Sequence, residues 1–100
     1  MTSPLRVSLI QLAYADEESV ADRTARVADL VRTACSGPGG TGASGGGDAG
    51  APHLVMLPEL WPQTGFGYQL WDDLAEPVEG PTAEAMSALA RECGVLLHAG

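Results

Sequence analysis

The sequence has no lysine at all, and its five arginines face thirteen acidic side chains, for a net charge of −8. Such a balance repels phosphate backbones and anionic lipid, so roles on nucleic acid or on a membrane surface are excluded. Cysteine is scarce too. Cys35 and Cys93 are too few for a disulfide framework, and without a secretory signal they read as two reduced, partly buried thiols. Long apolar runs are missing as well. The stretch from Val7 to Ala13 behind Arg6 is broken by Ser8 and Gln11, which leaves it too short for a spanning helix or an export signal, so a cytoplasmic protein is expected. His53 and His98 lie far apart, neither beside a second ligand, so no metal site is expected and no other cofactor is implied.

What remains is ordinary globular composition, 45% hydrophobic and 18% charged, enough for one small domain or part of one. Leu5 to Leu12 reads as a first strand, apolar on most of both faces and therefore expected inside a sheet, with the Gln11 amide needing partners there. Ser19 with Asp22 resembles a capping box and opens a helix to about Ala34. Val20, Val27, Leu30, Val31 and Ala34 form its apolar stripe, with Asp22, Arg26 and Asp29 opposite. Further on, Gly80-Pro81 starts a helix that runs to about Cys93. Met86, Leu89, Ala90 and Cys93 lie on its inner side, and Gly94 is its stop. Val95 to His98 is a third apolar strand, where His98 is read as a core or strand-end residue.

Between these elements the composition changes sharply. Residues 36–52 hold eight of the thirteen glycines and no large apolar side chain, so they cannot bury enough to offset their ordering entropy and read as a flexible loop. Gly40-Thr41-Gly42-Ala43-Ser44-Gly45 matches the spacing of a dinucleotide-binding turn. It follows a helix and precedes a strand, the reverse of the order that mechanism needs, so no cofactor is assigned to it.

The most informative stretch is His53 to Pro62. His53-Leu54-Val55-Met56-Leu57 is a short apolar run that suits a buried strand. Pro58 ends it, because the strand ladder loses an amide there while Leu57 is kept extended. Glu59 then stands at the carboxyl end of a strand, where open α/β sheets keep their ligands. Leu60, Trp61 and Pro62 are expected to leave its carboxylate poorly solvated, which favours a general base; the alternative is a solvated turn residue. After it, Thr64-Gly65-Phe66-Gly67-Tyr68 is a loop whose Phe66 and Tyr68, with Trp71, either line a substrate pocket or anchor the loop. The order strand, helix, loop, strand, aromatic segment, helix, strand implies an α/β sheet with helices packed on it.

Four landmarks occur in order: Leu5-Arg6-Val7-Ser8-Leu9-Ile10-Gln11-Leu12; Leu54 to Trp61 with Thr64-Gly65-Phe66; Glu79-Gly80-Pro81-Thr82; and Cys93-Gly94-Val95-Leu96-Leu97. Together they resemble the opening of a nitrilase-superfamily carbon–nitrogen hydrolase, over the whole chain except the Gly-rich segment. The resemblance implies a partial four-layer αββα sandwich, with the Gly-rich segment as an insertion in residues 1–100. It implies hydrolysis of small linear carboxamides, ω-amidase-like in its narrower form, by a Glu-Lys-Cys triad. Glu59 matches the general base, Phe66 and Tyr68 are candidates for substrate contact, and the full-length protein is expected to be a homo-oligomer. With no lysine present, and with both cysteines near helix C-termini where a thiolate is disfavoured, the rest of the triad has no place in this chain. The chain also stops at Gly100 straight after strand residues, so the rival expectation is a catalytically silent fragment or pseudoenzyme.

Overall fold

The computed structural model describes residues 4–15, 17–36, 51–63, 69 and 71–100. Three strands, β1 (Arg6–Leu9), β2 (His53–Met56) and β3 (Leu96–His98), alternate with helices α1 (Val20–Ser36), α2 (Trp71–Leu74) and α3 (Pro81–Cys93). The strands form one parallel sheet in the order β1-β2-β3. Parallel neighbours require a crossover between them, which is why α1 lies between β1 and β2, and α2 and α3 between β2 and β3.

Side chains alternate between the two faces of a strand, so the register divides the sheet cleanly. Ser8, Val55 and Leu97 sit side by side on one face, while Val7, Leu54 and Leu96 share the other with Leu9, Met56 and His98. The first face is covered. Val55 is fully buried in one core with Val27, Val31 and Cys35 of α1, Met86 and Leu89 of α3, and Leu12, Leu57 and Trp61 from the loops. His53 is buried on this face too, its Nε2 2.8 Å from the Ser8 hydroxyl. On the second face Val7, Leu9 and Leu96 are 48, 74 and 61% exposed, and nothing among the described residues covers them.

Among the described residues β1 is therefore at the edge of the sheet with one open face, where its two apolar faces suggest an interior strand. Gln11 lies beyond its end and is exposed, so it has no buried amide to satisfy. The layers described are one sheet and one layer of helices.

The helix boundaries follow from local chemistry. The Ser19 hydroxyl accepts from the Asp22 amide, 3.1 Å, at the start of α1, leaving one less amide unpaired in its first turn. At the end of α3, Gly94 takes a left-handed conformation, φ 65°, and its amide closes on the Ala90 carbonyl, a cap that glycine adopts without a Cβ clash. Residue 36 belongs to α1 and not to the glycine-rich loop, and α2 is a helical turn where the sequence suggests only an aromatic loop. Residues 37–50, which hold most of the glycine-rich segment, lie outside the described residues.

The first turn of α3 is capped from a distance. Its N-cap residue, Gly80, has no side chain, and Glu76 reaches in instead, accepting from the Thr82 amide at 2.7 Å and the Thr82 hydroxyl at 2.6 Å. These bonds, the hydroxyl's first, hold the Glu76 carboxyl below its usual range. A Cβ on Gly80 would stand 3.0 Å from the Pro77 carbonyl oxygen and 3.1 Å from Glu76 Cβ and Oε1. Gly80→Ala is therefore expected to displace this carboxylate and cost about 0.5–2 kcal/mol, the usual worth of a helix cap. Thermal melts of Gly80→Ala, Glu76→Ala and the double variant test this. If the two losses simply add, the residues do not share one interaction.

Candidate active site

Glu59 follows β2, the central strand, at its carboxyl end. The ladder runs on just past the strand, with the Leu57 amide donating to the His98 carbonyl at 2.8 Å and the Ile10 amide to the Met56 carbonyl at 2.9 Å. Pro58 has no amide to continue it, and the chain turns away. Leu60 completes the turn with φ 56°, a left-handed conformation that costs a non-glycine residue about 1–2 kcal/mol. Strain of that kind persists where the surroundings over-determine it.

Here they do. Trp61, fully buried, donates its indole N–H to the Ala99 carbonyl at 2.9 Å, which pins the far side of the turn to the end of β3. Tyr14 donates its hydroxyl to the Glu59 carbonyl at 3.2 Å, and Arg23 Nη1 donates to the Trp61 carbonyl at 3.4 Å. Gly100, φ 83°, packs so closely that a Cβ there would fall 2.5 Å from the Pro58 carbonyl oxygen. The backbone of residues 58–61 is thus gripped from the loop after β1, from α1 and from the residues just past β3, while the Glu59 side chain itself is exposed.

That exposure corrects one expectation. Trp61 turns into the core, so the apolar residues next to Glu59 in sequence do not enclose its carboxylate. Beyond the turn, Gln63 Nε2 donates to the Leu74 carbonyl at 2.9 Å, which ties the segment to α2. A groove of about 390 Å³ opens there between Pro62, Gln63, Glu76, Pro77, Met86 and Ala99. Glu59 is not among its lining residues. Phe66 and Tyr68 lie outside the described residues, and Trp71, at the start of α2, is 40% exposed.

Arg23 escapes a reading of the sequence. It falls on the α1 stripe with Val27, Val31 and Cys35, yet it is charged, and its side chain is 1% exposed. Its charge is answered on several sides, as burial demands. Nε donates to Glu18 Oε1 at 3.0 Å, Nη2 to the Ala15 carbonyl at 2.7 Å, and Nη1 to Trp61 as above. The guanidinium also lies over the Tyr14 ring, 5.5 Å from its centre, within cation–π range.

Glu18 joins Arg23 to Arg26, which donates to both of its carboxylate oxygens. The bonds from Arg26 first, and then those from Arg23, hold the Glu18 carboxyl down at about 2 from 4.5. A carboxyl depressed in the fold stabilises it above the usual value, and that contribution disappears as pH falls from about 4.5 towards 2. Burial first, and then nearby Arg6, lowers the His53 pKa. His53 is therefore kept neutral, and its share of stability begins to fade as pH drops below about 6.5. Thermal midpoints are expected to fall through both windows, and Glu18→Gln should flatten the lower one. A Glu18→Gln acid profile parallel to the parent's would show that this carboxylate does not set the acid limit.

Both cysteines lie at helix ends. Cys35 is buried in the last turn of α1, and half-buried Cys93 is the last residue of α3. Among the described residues no group of three His, Cys, Asp or Glu side chains could hold a metal ion, and no helix is long and apolar enough to cross a membrane.

No protein-family model matches the chain, and no solved structure matches it. A curated protein that does is a 2-oxoglutaramate amidase of Paenarthrobacter nicotinovorans, 33% identical over 96 residues. The matched region is 96% of this chain and 28% of that amidase, so the chain spans little more than a quarter of the relative's length.

Proposed function

We propose that the chain is the opening part of a carbon–nitrogen hydrolase of the nitrilase superfamily, an amidase for small linear carboxamides, with Glu59 as its general base. The observation that carries this reading is an exposed carboxylate on a strained, clamped turn at the carboxyl end of the central strand. Similarity to an amidase over nearly the whole chain supports it, as does the order of the four sequence landmarks. An ω-amidase-like preference, for the terminal amide of a small dicarboxylic acid, is the narrower form of the proposal.

In this mechanism Glu59 takes the proton of a cysteine thiol as the thiolate attacks the amide carbon. A lysine steadies the oxyanion that develops, ammonia leaves, and water releases the acid from the thioester. Residues 1–100 contain no lysine, and an arginine does not replace one, being a planar fork and not a compact ammonium. On this reading the lysine and the nucleophilic cysteine would come from residues outside these 100, which alone are expected to be inactive. The test is ammonia release from small carboxamides by the complete protein, with and without Glu59→Gln.

A further inference from the structure

Two side chains outside the proposed triad converge on the turn that presents Glu59. Tyr14, in the loop after β1, donates to the carbonyl of Glu59 itself. Arg23, from the first turns of α1, donates to the carbonyl of Trp61, two residues on. The two are coupled, since the guanidinium lies over the Tyr14 ring and is itself held by Glu18 and the Ala15 carbonyl. Between the two gripped carbonyls sits Leu60, held left-handed at φ 56°.

That arrangement is an unusual use of a charge. Burying a guanidinium at a position where an apolar residue would complete the α1 stripe carries a desolvation cost, which the Glu18 carboxylate and two carbonyls offset. For stability alone, a well-packed apolar side chain serves such a position as well or better. What an apolar residue cannot do is donate to the Trp61 carbonyl while stacking on the ring that fixes Glu59.

We propose that Arg23 and Tyr14 are positioning residues that hold the Glu59 turn in its left-handed conformation and so aim the carboxylate. The catalytic part of this rests on Glu59 being the base. The structural part does not.

The test uses Arg23→Gln, Arg23→Lys and Tyr14→Phe in the complete protein, with Glu59→Gln as the control for the base. Two quantities are read: the single-turnover acylation rate beside KM, and the backbone carbon chemical shifts of Leu60, which report its left-handed φ. Arg23→Gln is expected to move the Leu60 shifts towards an averaged backbone. Acylation should fall about 10²-fold, the order expected of a misplaced catalytic group, with KM within about twofold. Arg23→Lys recovers little of the loss, because one ammonium cannot replace the fork. Tyr14→Phe, at an exposed position, should keep the fold and lower acylation in the same sense by a smaller factor.

Leu60 shifts and acylation both unchanged in folded Arg23→Gln overturn the proposal, and so does a changed Leu60 with full acylation. Full rescue by lysine overturns it as well, since any cation would then suffice. If Arg23→Gln does not fold, Tyr14→Phe decides, and parent-like acylation in it sinks the idea. Full acylation in Glu59→Gln removes the base assignment instead, and the Leu60 shifts still report whether Arg23 and Tyr14 hold the turn.

Discussion

Glu59→Gln in the complete protein is expected to melt with the parent and to lose acylation by about 10² to 10⁴, the usual worth of a general base. The two halves of that expectation have separate causes. Stability should not move, because the side chain is exposed, and exposed substitutions away from special features stay within about 0.5 kcal/mol. The bond that holds the residue in place goes to its main-chain carbonyl, which glutamine keeps. Rate should move, because the amide has the shape of the carboxylate without its basicity, so the thiol keeps its proton. A structural Glu59 would show the opposite pairing, with melting shifted and activity lost only in proportion. Melting temperature and single-turnover acylation on one preparation separate the cases, and parent-like acylation in a folded variant removes the base assignment.

Trp61→Ala is expected to produce the largest loss of stability of any substitution near the site, about 3–5 kcal/mol. The indole is fully buried at the centre of the core, and its N–H meets the Ala99 carbonyl. Removing it leaves a cavity that close-packed neighbours fill only in part, and it frees the turn from β3. Against the 5–15 kcal/mol that holds a typical domain folded, such a loss is a large fraction. Trp61→Phe keeps most of the apolar contact and forfeits one hydrogen bond, so it should cost about 1 kcal/mol. Denaturant midpoints for the pair check this. A Trp61→Ala protein within 1 kcal/mol of the parent would mean that the indole does not anchor the turn.

The elements were legible where local chemistry is strong. A proline-ended apolar run, a glycine stop after a periodic stripe and a serine before another mark β2, α3 and α1 within a residue or two of their observed ends. The faces of β1 were less so, because an apolar strand reads the same whether both of its faces meet other layers or one meets none of the described residues. Arg23 was hidden for a related reason. A charge at a stripe position looks like an interruption until its partners, five to thirty-eight residues away, are brought beside it. Nor does sequence order give the solvation of Glu59, since Leu60 reverses the chain and sends Trp61 inward. The distant cap on α3 was invisible because capping patterns are local, and Glu76 acts across a turn.

The Ser8–His53 hydrogen bond carries a further consequence, for the alignment of the first two strands during folding. Residues on and just after β2 alternate His53, Val55, Leu57 towards the helices and Leu54, Met56 towards the open face. A slip of one residue would exchange these sets. Both are largely apolar, so hydrophobicity discriminates weakly between the correct frame and the shifted one. A histidine and a serine brought together under the helices add to the discrimination, because the slipped frame separates them and withdraws a hydrogen bond from a buried imidazole. One polar pair thereby contributes to frame selection where interchangeable aliphatic contacts leave it undecided.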